Sequence, residues 1–267
     1  MHAGTSWCID RLIPNNPALR TKIPRLKMSE PGQVWSMAHL RIFLASIRAH
    51  RLYAFYHLAA YTGARRGELL ALRWSQIDLR ERTVTLMAST DVIDGERVTD
   101  TPKSGRSRTI GIDPQTVTVL LEHRLRQNEQ RARLGAACED GGDFVFTRED
   151  GRQLYPDTVT QLMSRSVRDY NQPCQPGRRG SPRKALPPPL IQLPRARLHD
   201  LRHLHATTLL MAGEAVHVVA NRLGHSDPAI TLRVYAHVIN ENSLGPAEAF
   251  AKAVAGLGDE HDPDPDE

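Results

Sequence analysis

Apolar positions recur at helical spacing early in the chain. After Ser36, a residue suited to capping a helix, Met37, Leu40, Phe43, Leu44 and Ile47 return every three or four positions and predict an amphipathic helix. A second helix is predicted over 53–61, interrupted by Gly63. Helical composition then resumes through Glu68, Leu69, Leu70, Leu72 and Trp74 to a turn at Asp78, so a helix-turn-helix corner is expected here. The pattern next changes to short β-type runs at 83–86, 91–93 before Asp94-Gly95, 97–98 and 108–112, which predict a small three-stranded antiparallel sheet. Asp113-Pro114 opens a helix to about residue 133, with proline at its first position. Phe144-Val145-Phe146 reads as a short extended piece, and Pro156-Asp157 opens a helix to about residue 170. Further helices are predicted over 199–212, 215–223, 230–235 and about 246–254. The fold class expected is α+β, mainly α-helical with one small antiparallel sheet.

Three stretches fall outside this pattern. Residues 1–35 hold Pro14, Pro17, Pro24, Pro31 and Gly32 with little apolar periodicity and read as a connecting arm. Residues 172–194 hold seven prolines together with Arg178, Arg179, Arg183 and Lys184, which reads as a mobile basic insertion loop. Residues 258–267 form an acidic tail, expected to be disordered, leaving 36–257 as one domain.

Composition narrows the classes. With 267 residues, 40% of them apolar, the chain suits a folded globular protein. No run approaches the roughly 18 apolar residues of a spanning helix, and no secretory pattern opens the sequence, so a cytoplasmic protein without a membrane partner is expected. Cys8, Cys138 and Cys174 are odd in number and far apart, which suggests neither a disulfide framework nor a zinc knuckle. The formal charge is +5, but 259–267 carries six acids and no Lys or Arg, so the rest of the chain carries +11. A body this basic attracts polyanions, most simply a nucleic-acid backbone, by releasing condensed counterions.

Six residues then stand out by their local contexts: Arg65 in Tyr61-Thr-Gly-Ala-Arg-Arg-Gly-Glu, Lys103 in Thr101-Pro-Lys-Ser-Gly, His199 and Arg202 in His-Asp-Leu-Arg-His, His225 in Leu-Gly-His, and Tyr235 ten positions later. Taken singly, each is an ordinary surface charge or half-buried aromatic. Taken in order, they resemble the catalytic domain of the tyrosine recombinase or phage integrase family over about 36–240. The residue chemistry agrees with that resemblance. Moving a DNA phosphodiester without a metal needs a nucleophile, cations for the non-bridging oxygens, a base and an acid. Arg65 and Arg202 can hold phosphate oxygens through paired N–H donors. Tyr235 can attack, once a neighbour takes its proton, and His199 is the natural base. The resemblance implies that Lys103 protonates the leaving 5′ oxygen and that His225 hydrogen-bonds the phosphate; if a test excluded Lys103, nearby cations such as Arg106 and Arg108 would become the candidates. Glu68, three residues after Arg65, is expected to orient that region rather than react.

The resemblance further implies cleavage and rejoining of double-stranded DNA through a 3′-phosphotyrosyl bond, without ATP, metal or other cofactor, by four protomers assembled on the DNA. It implies a core-binding domain before the catalytic one, with arm 1–35 as its end, and a C-terminal helix that docks onto a neighbouring protomer. Three alternatives stand beside it: a type IB topoisomerase with the same chemistry, a DNA-binding remnant without activity, and a zinc enzyme built on His199, His203 and His205 or His225.

Overall fold

The computed structural model describes residues 35–93, 96–100, 107–135, 138, 142–175, 184–225, 229, 231–232 and 251, all within the unit 33–267. The arm before Trp35, the segment with Lys103, the middle of the proline-rich stretch, Tyr235, the acidic tail and, apart from Ala251, the helix expected over 246–254 lie outside the described residues.

Helix α1 (Met37–Ser46) starts at the expected cap: Ser36 Oγ accepts from His39 N, and His39 Nδ1 accepts from Ser36 N. Helix α2 (Tyr53–Thr62) is apolar on nearly every side and buried on nearly every side, which makes it the central element of the fold. Phe43, Phe55, Tyr56 and Phe146 meet around it edge to face, at centroid separations of 5.2–5.5 Å. The Tyr56 hydroxyl reaches out of that cluster and donates to Val159 O at 2.6 Å. Gly63 ends α2 in the left-handed region, φ 64°, and turns the chain into the short helix α3 (Arg66–Ala71). Helical composition through Trp74 pointed to a longer α3. Instead the chain becomes extended at Leu72 and passes through a 3₁₀ turn (Trp74–Gln76) into strand β1 (Ile77–Asp78).

The predicted three-stranded antiparallel sheet is present with a different membership. Its order is β1, β2 (Thr83–Leu86), β5 (Arg108–Gly111), with Ile77 opposite Val84 and Val84 opposite Ile110. The two middle runs, β3 (Ser89–Ile93) and β4 (Glu96–Asp100), pair with each other as a separate two-stranded hairpin among the described residues. Val84, Leu86 and Ile110 turn inward, while Thr85 and Thr109 face outward and share a hydrogen bond. Helix α3 lies against β3 so closely that a Cβ on Gly67 would stand 2.7 Å from Thr90 O. Helix α4 (Pro114–Leu134) has Asp113 as its cap and proline in its first turn, and it packs on α2.

Helix α5 (Pro156–Asn171) buries Val159, Met163 and Val167, one stripe at four-residue spacing. The proline-rich stretch that follows is described only at its flanks, and these are pinned rather than loose. Strands β6 (Cys174–Gln175) and β7 (Lys184–Ala185) pair, and Leu186 N donates to Pro173 O. Asn171 then clasps the backbone of Leu193 with both ends of its amide, and Trp35 Nε1 donates to Pro194 O. Leu193 itself is 2% exposed. The composition hid this anchor because a single leucine after a proline run carries no periodicity. Helices α6 (Leu198–Met211) and α7 (Val216–Leu223) complete the described fold and close over a small cluster of Ala206, Val219 and Leu223.

Leu193 therefore fixes the end of the stretch that leads into α6. Leu193→Ala should lower unfolding free energy by about 2–5 kcal/mol, the usual cost of emptying a buried leucine site. A urea midpoint unchanged from the parent chain would show that the strap adds nothing to the core.

Candidate active site

The turn between α2 and α3 supplies the first arginine. Arg65 precedes α3, and Glu68, one turn into that helix, reaches back so that Oε2 accepts from Arg65 N at 2.7 Å and Oε1 from Arg65 Nη1 at 2.9 Å. Glu68 is 1% exposed. A second guanidinium meets it from the sheet: Arg108 donates from Nη1 to Oε1 and from Nη2 to Oε2, both at 2.8 Å. Burial pushes the Glu68 pKa up, yet the hydrogen bonds and charge of Arg108, followed by those of Arg65, more than offset this and hold it below its ordinary value. The carboxylate therefore stays ionised, its two oxygens filled by four donors.

The C-terminus of α7 supplies a row of acceptors. Three successive carbonyls each receive a different arginine: Arg222 O from Arg108 Nε at 2.9 Å, Leu223 O from Arg202 Nη2 at 2.8 Å, and Gly224 O from Arg65 Nη2 at 2.9 Å. The last carbonyls of a helix lack intrahelical donors and carry partial negative charge, so cations settle there. Gly224 makes the row possible. Its φ is 68°, and a Cβ in its place would stand 2.5 Å from Arg108 Nη1. Arg202, 4% exposed on α6, also donates from Nη1 to Gly63 O at 2.7 Å, which ties the α2–α3 turn to α6. A Cβ on Gly63 would meet Leu223 Cδ2 at 2.8 Å and His205 Cδ2 at 2.9 Å, so that turn is packed against both helices.

Above this framework lies a pocket of about 310 Å³ lined by Ala64, Arg65, Arg66, Thr160, Arg197, Leu198, His199 and Arg202. Both predicted arginines and His199 thus share one cavity. His225 follows Gly224, its Nδ1 lying 2.6 Å from Thr231 Oγ1. The charges of Arg202, Arg65, Arg108 and His199 all bear on its ring. Lys103 and Tyr235 fall outside the described residues, so this geometry contains four of the six predicted residues together with Glu68.

Residues 37–242 match the phage integrase family. The chain belongs to that family. It is 28% identical over 89% of its length to a XerC-like tyrosine recombinase of Caldanaerobacter subterraneus subsp. tengcongensis, covering 60% of that protein. It is 27% identical over 86% of its length to the ICEBs1 integrase of Bacillus subtilis, covering 56%. This integrase-family chain therefore spans a little over half the length of those relatives. The fold is similar to the Tn1549 transposon integrase in complex with transposon right end DNA, with TM-score 0.67, 22% identity, 94% of this chain and 75% of that one. It is also similar to XerA recombinase, with TM-score 0.54 and 19% identity over 88% of this chain and 70% of that one.

His199 and His225 of this family member are held neutral. Burial, then the charges of His203 and Arg202, lower His199 to about 4, with Asp200 opposing. Burial, then Arg202 and Arg65, lower His225 to about 4. The His199 and His203 rings meet edge to face at 4.6 Å. Among the described residues no group of three His, Cys, Asp or Glu side chains is arranged to hold a metal. No described helix is long and apolar enough to cross a membrane.

Arg108 was read as a fallback acid, and the structure removes it from that role: its side chain is 7% exposed, Nε and both Nη atoms are engaged, and a guanidinium does not give up its proton. A signal for its true position existed. In the run 108–112 the period of two puts Arg108 on the same face as Ile110 and Ile112, both buried. Arg222 gave no such signal. It donates from Nε to His205 Nε2 at 3.0 Å and from Nη2 to Tyr61 O, joining α7 to α6 and α2.

His57, His199, His205 and His225 are each lowered to about 4 from 6.5, with burial the first cause. A folded-state pKa below the unfolded one means that protonation favours unfolding. Their contribution is complete above about pH 6.5 and is lost as pH falls toward 4. The melting temperature should therefore be flat from pH 8 to 7 and decline steadily from 6.5 to 4. A melting temperature that holds level down to pH 4.5 would contradict neutral burial of these rings.

Proposed function

We propose that the protein is a site-specific DNA recombinase that cleaves and rejoins duplex DNA through a covalent bond to Tyr235. What supports this most is the convergence of Arg65, Arg202 and His199 on one pocket, with His225 within reach of their charge. A phosphodiester entering such a site meets two guanidiniums anchored from behind by a carboxylate and helix-end carbonyls, so little reorganisation is needed as charge builds on the non-bridging oxygens. The neutral imidazoles can accept protons or hydrogen bonds. The phosphate's own negative charge raises their pKa from about 4 toward the range where a base works.

In the proposed step the Tyr235 oxygen gives its proton to His199 and attacks phosphorus. The bond from phosphorus to the 5′ oxygen breaks, and Lys103 protonates that oxygen. The product is a 3′-phosphotyrosyl bond and a free 5′ hydroxyl, and attack by another 5′ hydroxyl reverses the step on a new partner. One phosphodiester is exchanged for another, so the reaction requires no ATP, and Arg65 and Arg202 take the charge-stabilising part that a metal takes elsewhere. The partner is double-stranded DNA, attracted by a body of high positive charge, with four protomers working together on it as the family resemblance implies.

A nicked duplex that loses its 5′ fragment after cleavage traps the covalent complex. The unmodified chain should give a band of protein joined to DNA on a denaturing gel, and Tyr235→Phe should give none while binding duplex with unchanged affinity. A relaxed plasmid without any requirement for a second site would indicate a topoisomerase instead, and binding without adduct would indicate a remnant.

Lys103→Ala should slow cleavage of ordinary DNA by about 10²- to 10⁴-fold, the usual effect of losing a general acid. Replacing the bridging 5′ oxygen by sulfur makes the leaving group a thiolate, which departs unprotonated, so the variant should then approach the parent rate. Arg65→Ala should gain nothing from sulfur. Equal rescue of both variants, or of neither, would take the acid role away from Lys103.

A further inference from the structure

Arg65 has two partners beneath the pocket, and Arg108 grips the first and packs beside the second. The first is Oε1 of Glu68, which receives Arg65 Nη1 at 2.9 Å and Arg108 Nη1 at 2.8 Å. A carboxylate is free to rotate about its last torsion, but here Arg108 grips both oxygens with a two-pronged pair of N–H donors and fixes the plane. The second partner is Gly224 O. Arg108 Nε holds the carbonyl of Arg222 two residues earlier, and its guanidinium fills the space that a Cβ on Gly224 would need. Arg108 sits on the inward face of β5, does not line the pocket, and is 7% exposed.

We propose, resting on the recombinase function above, that Arg108 is a positioning residue for strand cleavage: through Glu68 and the α7 terminus it sets the Arg65 guanidinium against a non-bridging oxygen of the phosphodiester. Arg108 contributes direction, not charge, to the reacting phosphate. Lysine in its place keeps the cation but cannot hold two oxygens in a plane, so charge neutralisation of Glu68 persists while its orientation is lost. Arg65 then retains its place in the chain and loses its aim.

The test uses a nicked duplex whose sequence is first selected, by covalent capture on the unmodified chain, from a randomised pool. It is then synthesised in two forms, with a normal phosphodiester and with a methylphosphonate at the cleaved position. The methyl group removes the negative oxygen that Arg65 is proposed to meet, so a defect in aiming Arg65 matters less on that DNA. Arg108→Lys should melt cooperatively, bind the duplex within about threefold of the parent, and cleave normal DNA about 10- to 100-fold more slowly through kcat rather than KM. On the methylphosphonate the ratio of parent to variant rate should shrink to within about threefold, as it should for Arg65→Ala. Where Arg108→Lys does not fold, the double variant Glu68→Leu with Arg108→Met replaces the buried pair by apolar groups of similar volume and should show the same pattern. Parent-like cleavage of normal DNA, or a loss of equal size on both DNAs, overturns the positioning role and leaves the recombinase function standing. Absence of any adduct from the parent chain overturns both.

Discussion

A carboxylate locked between two guanidiniums, with almost no contact with water, is the constraint from which the rest of the site follows. Taking an ion out of water costs several kcal/mol after relaxation, and Glu68 meets that cost because Arg65 and Arg108 fill both of its oxygens. The arrangement matters less for net stability than for what breaking it would leave behind. Without Glu68, two cations would face each other across a dry gap. Without Arg108, the carboxylate would turn toward Arg65 alone, and the Arg222 carbonyl would lose its donor. The same arginine thus belongs to the sheet by backbone, to α3 by charge and to α7 by hydrogen bond, and these three elements cannot shift independently.

The pocket above that core is unusual in its distribution of charge. Among the described residues that line it the permanent cations are arginines, while His199 and His225 are kept neutral by burial and by nearby arginines. Such a site presents a steady positive field and reserves its titrating groups for the moment an anion enters. Its backing of helix-end carbonyls compensates part of the positive charge from below, so Arg65, Arg108 and Arg202 can crowd together without forcing the fold apart.

Much of this was legible from residues whose physics is local. Ser36, Asp113 and Pro156 announced helix starts, and Gly63 announced a stop, because caps and left-handed turns act within a few residues. Sheet membership was not legible in that way: two-residue β1 owes its place to pairing with β2, and nothing in Ile77-Asp78 alone distinguishes a strand from the end of a helix. Arg65, Glu68, His199, Arg202 and His225 were picked out by local context, and the structure gathers them. Arg108 was seen only as a fallback acid, since its partners are a carboxylate 40 residues earlier and a carbonyl 114 residues later. Leu193 and Arg222 were invisible for the same reason, because tertiary contacts alone give them meaning.

The row of carbonyls at the end of α7 also governs when the pocket can exist. Arg65 waits 159 residues for Gly224, Arg108 waits 114 for Arg222, and Arg202 reaches back 139 to Gly63. Contacts so distant form only after the intervening chain has condensed. A polypeptide emerging from the ribosome therefore carries Arg65 through a further 159 residues before the Gly224 carbonyl exists to hold it. The three carbonyls that hold Arg65, Arg108 and Arg202 leave the ribosome after all of the cations they receive.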